Sequence, residues 1–154
     1  MASMGPVAEL DAVRRLRVLA GALGATYVEE TVPVPYGRIW AVAADLEETL
    51  PRVLPDIRSF RVVERDGDRF RARARGQAGM RGWFDGVFSP GMWLMQSRFL
   101  IGGMAAADTG EGTRVAFLGL IRFPGFRLAR PMLRPILTRY GKLVLRRLAE
   151  RSGG

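Results

Sequence analysis

The sequence has no cysteine and no histidine. The first absence removes disulfides, thiolate nucleophiles and Cys-held zinc or iron–sulfur centres. The second removes the commonest general base and the commonest transition-metal ligand. Lysine is nearly missing as well, with Lys142 alone beside 23 arginines. Long hydrophobic runs are absent too. The longest, Phe99 to Ala107, holds nine residues and includes Gly102 and Gly103, far short of the ~20 a membrane-spanning helix needs. The run Val18 to Ala25 follows Arg14, Arg15 and Arg17, but it is short and Glu9 and Asp11 precede it. That order does not fit a secretion signal, and the chain is read as cytoplasmic. No cofactor is expected: GQAGMRG lacks the lysine and the strand-to-helix setting of a phosphate-binding loop.

What is present is one domain's worth of chain: 154 residues, 48% hydrophobic and 25% charged. The net charge of +9 is unevenly spread. Residues 122–154 carry eight arginines and Lys142 against Glu150 alone, whereas residues 27–68 carry nine acids against five arginines. A basic block of this kind reads first as a solvated helix face in an arginine-rich sequence. Its sharper reading is weak attraction to an acidic partner or an anionic surface.

The hydrophobic period then orders the elements. Residues 8–23 repeat at helical spacing, with Ala12, Val13, Leu16, Leu19, Ala20 and Leu23 on one face and Gly24 as a stop. This helix is expected to pack on the domain or on a second copy of the chain, so a homodimer is a candidate assembly. Residues 26–34 read as a strand ended by Pro33 and Pro35. Residues 36–49 read as a helix, and Pro51 and Pro55 bracket a second helical turn. From Ile57 the period becomes two. Residues 57–65 and 69–76 flank Asp66–Gly67, a hairpin signal, and Arg69, Arg71, Arg73 and Arg75 share one face of the second strand. Strands are expected at 81–88, 92–100, 102–108 and 113–123. Residues 127–150 close the chain as a helix whose apolar face would hold Met132, Ile136, Tyr140, Leu143, Val144 and Leu148, uninterrupted only after about residue 131 because of Pro131 and Pro135. Ala72, Ala74, Gly119 and Gly141 are small residues that would leave a hollow between sheet and helix.

Pro35, Ile39–Trp40, Asp45, Pro51 with Pro55, the strand from Phe60 to Glu64, and GTRVAFLGLIRF at residues 112–123 resemble the START-like superfamily known as SRPBCC. The resemblance spans residues 26–150. It implies an α+β helix-grip fold, as in START domains and pollen allergens. A seven-stranded antiparallel sheet would wrap a long C-terminal helix, with two short helices after the first strand and an extra N-terminal helix. Residues 1–25 would be the extension and 26–151 the domain. The family holds polyketide cyclases and aromatases, lipid carriers and hormone binders, so the resemblance implies a hydrophobic small molecule, lipid-like, aromatic or polyketide-like, between sheet and helix. The absence of histidine argues against a proton-shuttling cyclase.

The candidate ligand-binding residues are Trp83, Asp85, Met95, Arg98, Phe117, Met132, Ile136 and Tyr140. Asp85 and Arg98 sit amid apolar neighbours in WFDGVF and WLMQSRFL. Facing inward, they would be a carboxylate of raised pKa and a fork donor for a ligand anion. Facing outward, Asp85 would pair with Arg98, Arg73 or Arg75. The large apolar residues are cavity lining or plain core. The readings in order are a hydrophobic-ligand binder, a metal-free cyclase or aromatase in which an Arg or Tyr steadies an enolate, and a basic interaction module. Nucleic acid is disfavoured, because the arginine row 71/73/75 lacks aromatics on its own face.

Overall fold

The computed structural model describes residues 11–77, 79–122 and 125–153; residues 8–10 of the expected first helix, with the rest of the N-terminal extension before them, and Phe123 lie outside them. The described elements are α1 (Ala12–Leu23), β1 (Thr26–Val32), α2 (Tyr36–Ala43), α3 (Leu46–Val53), β2 (Ile57–Asp66), β3 (Arg69–Gly76), β4 (Arg81–Ser89), β5 (Met92–Gln96), β6 (Leu100–Asp108), β7 (Thr113–Ile121) and α4 (Phe126–Gly153). The strands form one seven-stranded sheet in the order β1-β7-β6-β5-β4-β3-β2, antiparallel throughout. Hairpins make every neighbouring pair except β1 and β7; after β1 the chain crosses to β2 on the opposite edge. This is an α+β helix-grip architecture.

Local chemistry explains the ends of the elements. Asp11 caps α1 by accepting from the Arg14 amide at 2.8 Å, and Gly24 ends it in the left-handed region at φ 68°. Gly67 supplies the positive φ of the β2–β3 turn. β5 stops at Gln96, earlier than its apolar run predicts. Ser97 takes over the turn: its amide donates to the Leu100 carbonyl and its hydroxyl accepts from the Leu100 amide. The backbone finds its partners in a turn, which ends the ladder.

The helix–sheet core gathers Val28, Phe60, Phe84, Trp93, Met104, Phe117, Val144, Leu145 and Leu148 with Ile39 and Leu50 of the short helices. Trp93 Nε1 donates to the Ala43 carbonyl at 3.0 Å, and Thr113 Oγ1 to the Val34 carbonyl at 2.6 Å. These two buried hydrogen bonds pin α2 and the β1–α2 connection to the sheet. A second core lies on the other side. There α1 seats Ala12, Val13, Leu16 and Ala20 on Ala105, Ala107, Ala116 and Leu118.

Two expectations about α4 need correction. The helix runs unbroken through Pro131 and Pro135. Both prolines are exposed, and a helical residue shares its face with the carbonyl four positions back, so the carbonyls they leave unbonded face water. Met132 and Ile136 do not join the buried face: they are exposed. Residues four apart precess by about 40° per step on a helix of 3.6 residues per turn. A row that is buried at Leu148 and Val144 has therefore rotated toward solvent by Ile136 and Met132.

Candidate functional site

α4 makes its close approaches to β1, β7, α2 and α3. The middle of the sheet is left facing a hollow of about 170 Å³. Its walls are Phe84 of β4, Trp93 and Met95 of β5, Phe117 of β7, Leu54 and Ile57 after α3, and Leu137 and Tyr140 of α4. Two glycines make the room. Gly102 and Gly119 are cross-strand partners on β6 and β7, both on the helix-facing side. A Cβ at Gly102 would meet nothing nearer than Met95 Cε at 3.8 Å. Gly141 is the reverse case. A Cβ there would sit 2.6 Å from Val28 Cγ2, so this glycine lets α4 touch β1 and opens no hollow, contrary to the sequence expectation.

The hollow's polar side chains are Thr26, Asp56 and Tyr140. The Tyr140 hydroxyl donates to Asp56 Oδ1 across 84 residues of sequence. Burial pushes the Tyr140 phenol above its ordinary 10.0, and the hydrogen bond to Asp56 and that residue's charge push it further. Tyr140 therefore keeps its proton at neutral pH, and that proton is committed to Asp56. Asp56 is exposed, which places the pair at the rim of the hollow, and both partners retain lone pairs, so the pair can accept hydrogen bonds.

Leu137, Thr26, Gly119, Leu120 and Ile121 also border a wider recess of about 340 Å³, flanked by Tyr27, Arg130 and Arg134. The hollow thus has an outer vestibule of mixed character. A larger concavity of about 600 Å³ lies between α3 and the outer face of β2–β3, among Glu47, Glu48, Arg52, Arg58, Arg61, Arg73 and Arg75. These are exposed charged groups around a solvated groove. The smaller apolar hollow is the better ligand site, because apolar burial drives small-molecule binding.

Met95, Phe117 and Tyr140 come together at the hollow. The other sequence candidates lie elsewhere. Trp83 is exposed on the outer face of β4, with Arg71 and Arg73 over its ring at 4.7 and 5.8 Å. Asp85 is on that same face and pairs with Arg71, its cross-strand neighbour, at 3.8 Å. The partner is thus Arg71, not Arg73, Arg75 or Arg98. Arg98 is exposed in the β5–β6 turn, over the Phe99 ring at 5.4 Å. The strand parity that buries Phe84 and Met95 turns Trp83 and Asp85 out, and the end of β5 at Gln96 removes Arg98 from the sheet. Met132 and Ile136 point to solvent, as above. Asp56 was missed because its signal is tertiary. Gly102 had a local signal in the Gly102–Gly103 pair. Among the described residues no group of three or more acids, histidines or cysteines could hold a metal.

No protein-family model and no curated protein matches the chain. Solved structures do. The Thermus thermophilus protein TTHA0849 is 25% identical over 83% of this chain and 96% of that one, with a TM-score of 0.64. The KanY protein is 16% identical, covering 84% and 97%, with a TM-score of 0.67. The Zhui aromatase/cyclase from Streptomyces sp. R1128 is 16% identical, covering 84% and 94%, with a TM-score of 0.59. These likenesses are likenesses of fold: with its seven-stranded antiparallel sheet and long closing helix, the chain has the helix-grip fold that its sequence resemblance implies.

Proposed function

We propose that the chain binds an apolar small molecule carrying a hydroxyl group, its apolar body in the hollow and its hydroxyl on the Tyr140–Asp56 pair. The carrying observation is the Gly102/Gly119 gap, an apolar chamber whose paired polar groups accept rather than donate. Apolar cavities of about 150 Å³ take up a benzene-sized guest, and this one matches a single ring system or the end of a larger molecule. Burying ~150 Å² of such a guest contributes about 4 kcal/mol at ~25 cal/mol per Å². That alone corresponds to a dissociation constant near ~1 mM. A tightly bound ligand would have to extend into the vestibule beside Leu137, Arg130 and Arg134.

The geometry favours binding over cyclase-type chemistry. Steadying an enolate needs a donor aimed at the developing charge. Arg98 faces solvent, and the Tyr140 proton is held by Asp56.

Titration with 2-naphthol and with its methyl ether, read by isothermal calorimetry, tests the reading. The naphthol should bind about fivefold more tightly, the worth of one hydrogen bond. Gly102→Leu should abolish uptake at an unchanged melting temperature, and Tyr140→Phe should narrow the gap between the two probes. Undiminished uptake by Gly102→Leu would move the site elsewhere.

A further inference from the structure

The first half of α4 turns apolar side chains to both sides. Inward, Leu137 bounds the hollow and its vestibule. Outward, Leu128, Met132 and Ile136 are 87%, 81% and 61% exposed. Single exposed apolar residues are ordinary on a protein surface. These three recur every fourth residue and form one stripe, with the exposed Pro131 and Pro135 beside it. Exposed Arg139 continues the stripe one turn on, whereas Arg130 and Arg134 project from the opposite, vestibule side of the helix. The later turns add exposed Lys142 and Arg146.

We propose that this face of α4 docks on an anionic lipid bilayer surface, with Leu128, Met132 and Ile136 seated among the acyl chains and Arg139, Lys142 and Arg146 on the headgroups. An apolar stripe continued by cations on the same side suits a helix lying on an anionic bilayer surface. A second copy of the chain is the poorer occupant, because pairing this face with itself would bring two sets of like charges together. The docking does not depend on the ligand reading.

The test is sedimentation of the full chain with vesicles. One set is phosphatidylcholine alone, and the other contains about one quarter phosphatidylglycerol. The chain should pellet with the anionic vesicles at about 50 mM salt and not at about 500 mM. Leu128→Ser/Met132→Ser/Ile136→Ser should weaken binding at least about tenfold with an unchanged melting temperature. Arg71→Gln/Arg73→Gln/Arg75→Gln, on the remote sheet face, should leave it intact. No pelleting with anionic vesicles, or wild-type binding by the serine variant, would overturn the proposal. So would loss of binding in the remote glutamine variant. Self-association of the wild type that the serine variant lacks, read by sedimentation velocity, would instead assign the stripe to a second copy.

Discussion

A helix from each end of the chain packs on the sheet, α1 on one face and α4 on the other, and they do so on opposite terms. α1 lies flat on small residues. Ala105, Ala107 and Ala116 let it settle close, and Leu16 is fully buried between them. α4 meets large residues. Phe84, Trp93, Met95 and Phe117 hold it off the middle strands and leave a hollow. The contrast is sharpest at two adjacent glycines. A Cβ on Gly103 would come 2.5 Å from Leu94 Cδ2 and 3.2 Å from Leu16 Cδ1, whereas on Gly102 it would meet ordinary contact at 3.8 Å. Successive strand residues face opposite sides. One glycine therefore admits a helix and the next makes room for a guest. Side-chain size at the contact, more than hydrophobicity, decides whether a covered face is solid or hollow.

The strongest way to break this comparison is Leu16→Ala. If α1 is a true second core, the substitution should lower stability by about 3 kcal/mol, within the usual range for a buried leucine, read as the urea midpoint. A loss below about 0.5 kcal/mol would make α1 a loose cover. Next comes the glycine pair. Gly103→Ala should destabilise by about 1–3 kcal/mol through overpacking. Gly102→Ala should stay within about 0.5 kcal/mol. Equal losses would end the contrast between the faces.

The smallest effect concerns the charge cluster that ties α1 to the sheet. Glu29 accepts hydrogen bonds from Tyr27 at 2.6 Å and Arg17 at 2.5 Å, with Arg114 at 3.6 Å. Desolvation pushes the Glu29 carboxyl up, but these hydrogen bonds and the charges of Arg17 and Arg114 outweigh it, so it titrates below its ordinary 4.5. A depressed carboxyl contributes stability above its unfolded value and loses it as pH falls through the folded value. The wild type should therefore lose stability on acidification below about pH 4.5 more steeply than Glu29→Gln, by less than about 1 kcal/mol for a partly exposed cluster. Parallel urea-midpoint profiles would show that α1 is held by its apolar face alone.

Much of the fold is legible in the residues. Asp66–Gly67 marks a hairpin by its turn chemistry, and the arginines of β3 alternate with Phe70, Ala72 and Ala74, which are buried. The apolar repeat of α1 predicts a packed helix, and α1 packs on the domain's own sheet. The candidate site was legible only in part. Met95, Phe117 and Tyr140 stand at the hollow, but Trp83 and Asp85 belong to the opposite face of the same strand as Phe84. A strand's alternation shows that two sets of side chains diverge without showing which set is inside. α4 carries the same lesson over a longer reach. Its period is plain, yet the four-residue row drifts off the buried face, and only the sheet's position shows where burial ends.

By itself the sequence determined the elements, their antiparallel hairpin order, the arginine-coated surface and the absence of thiol and imidazole chemistry. These follow from composition, periodicity and turn residues, which act over a few positions. The tertiary structure alone decided where the hollow lies and which side chains line it. Tyr140 meets Asp56 only when the sheet curls around α4, and Gly102 lies beside Gly119 only through the register of the β6–β7 ladder. A cavity is a volume that distant side chains fail to fill, and no short stretch of chain encodes it.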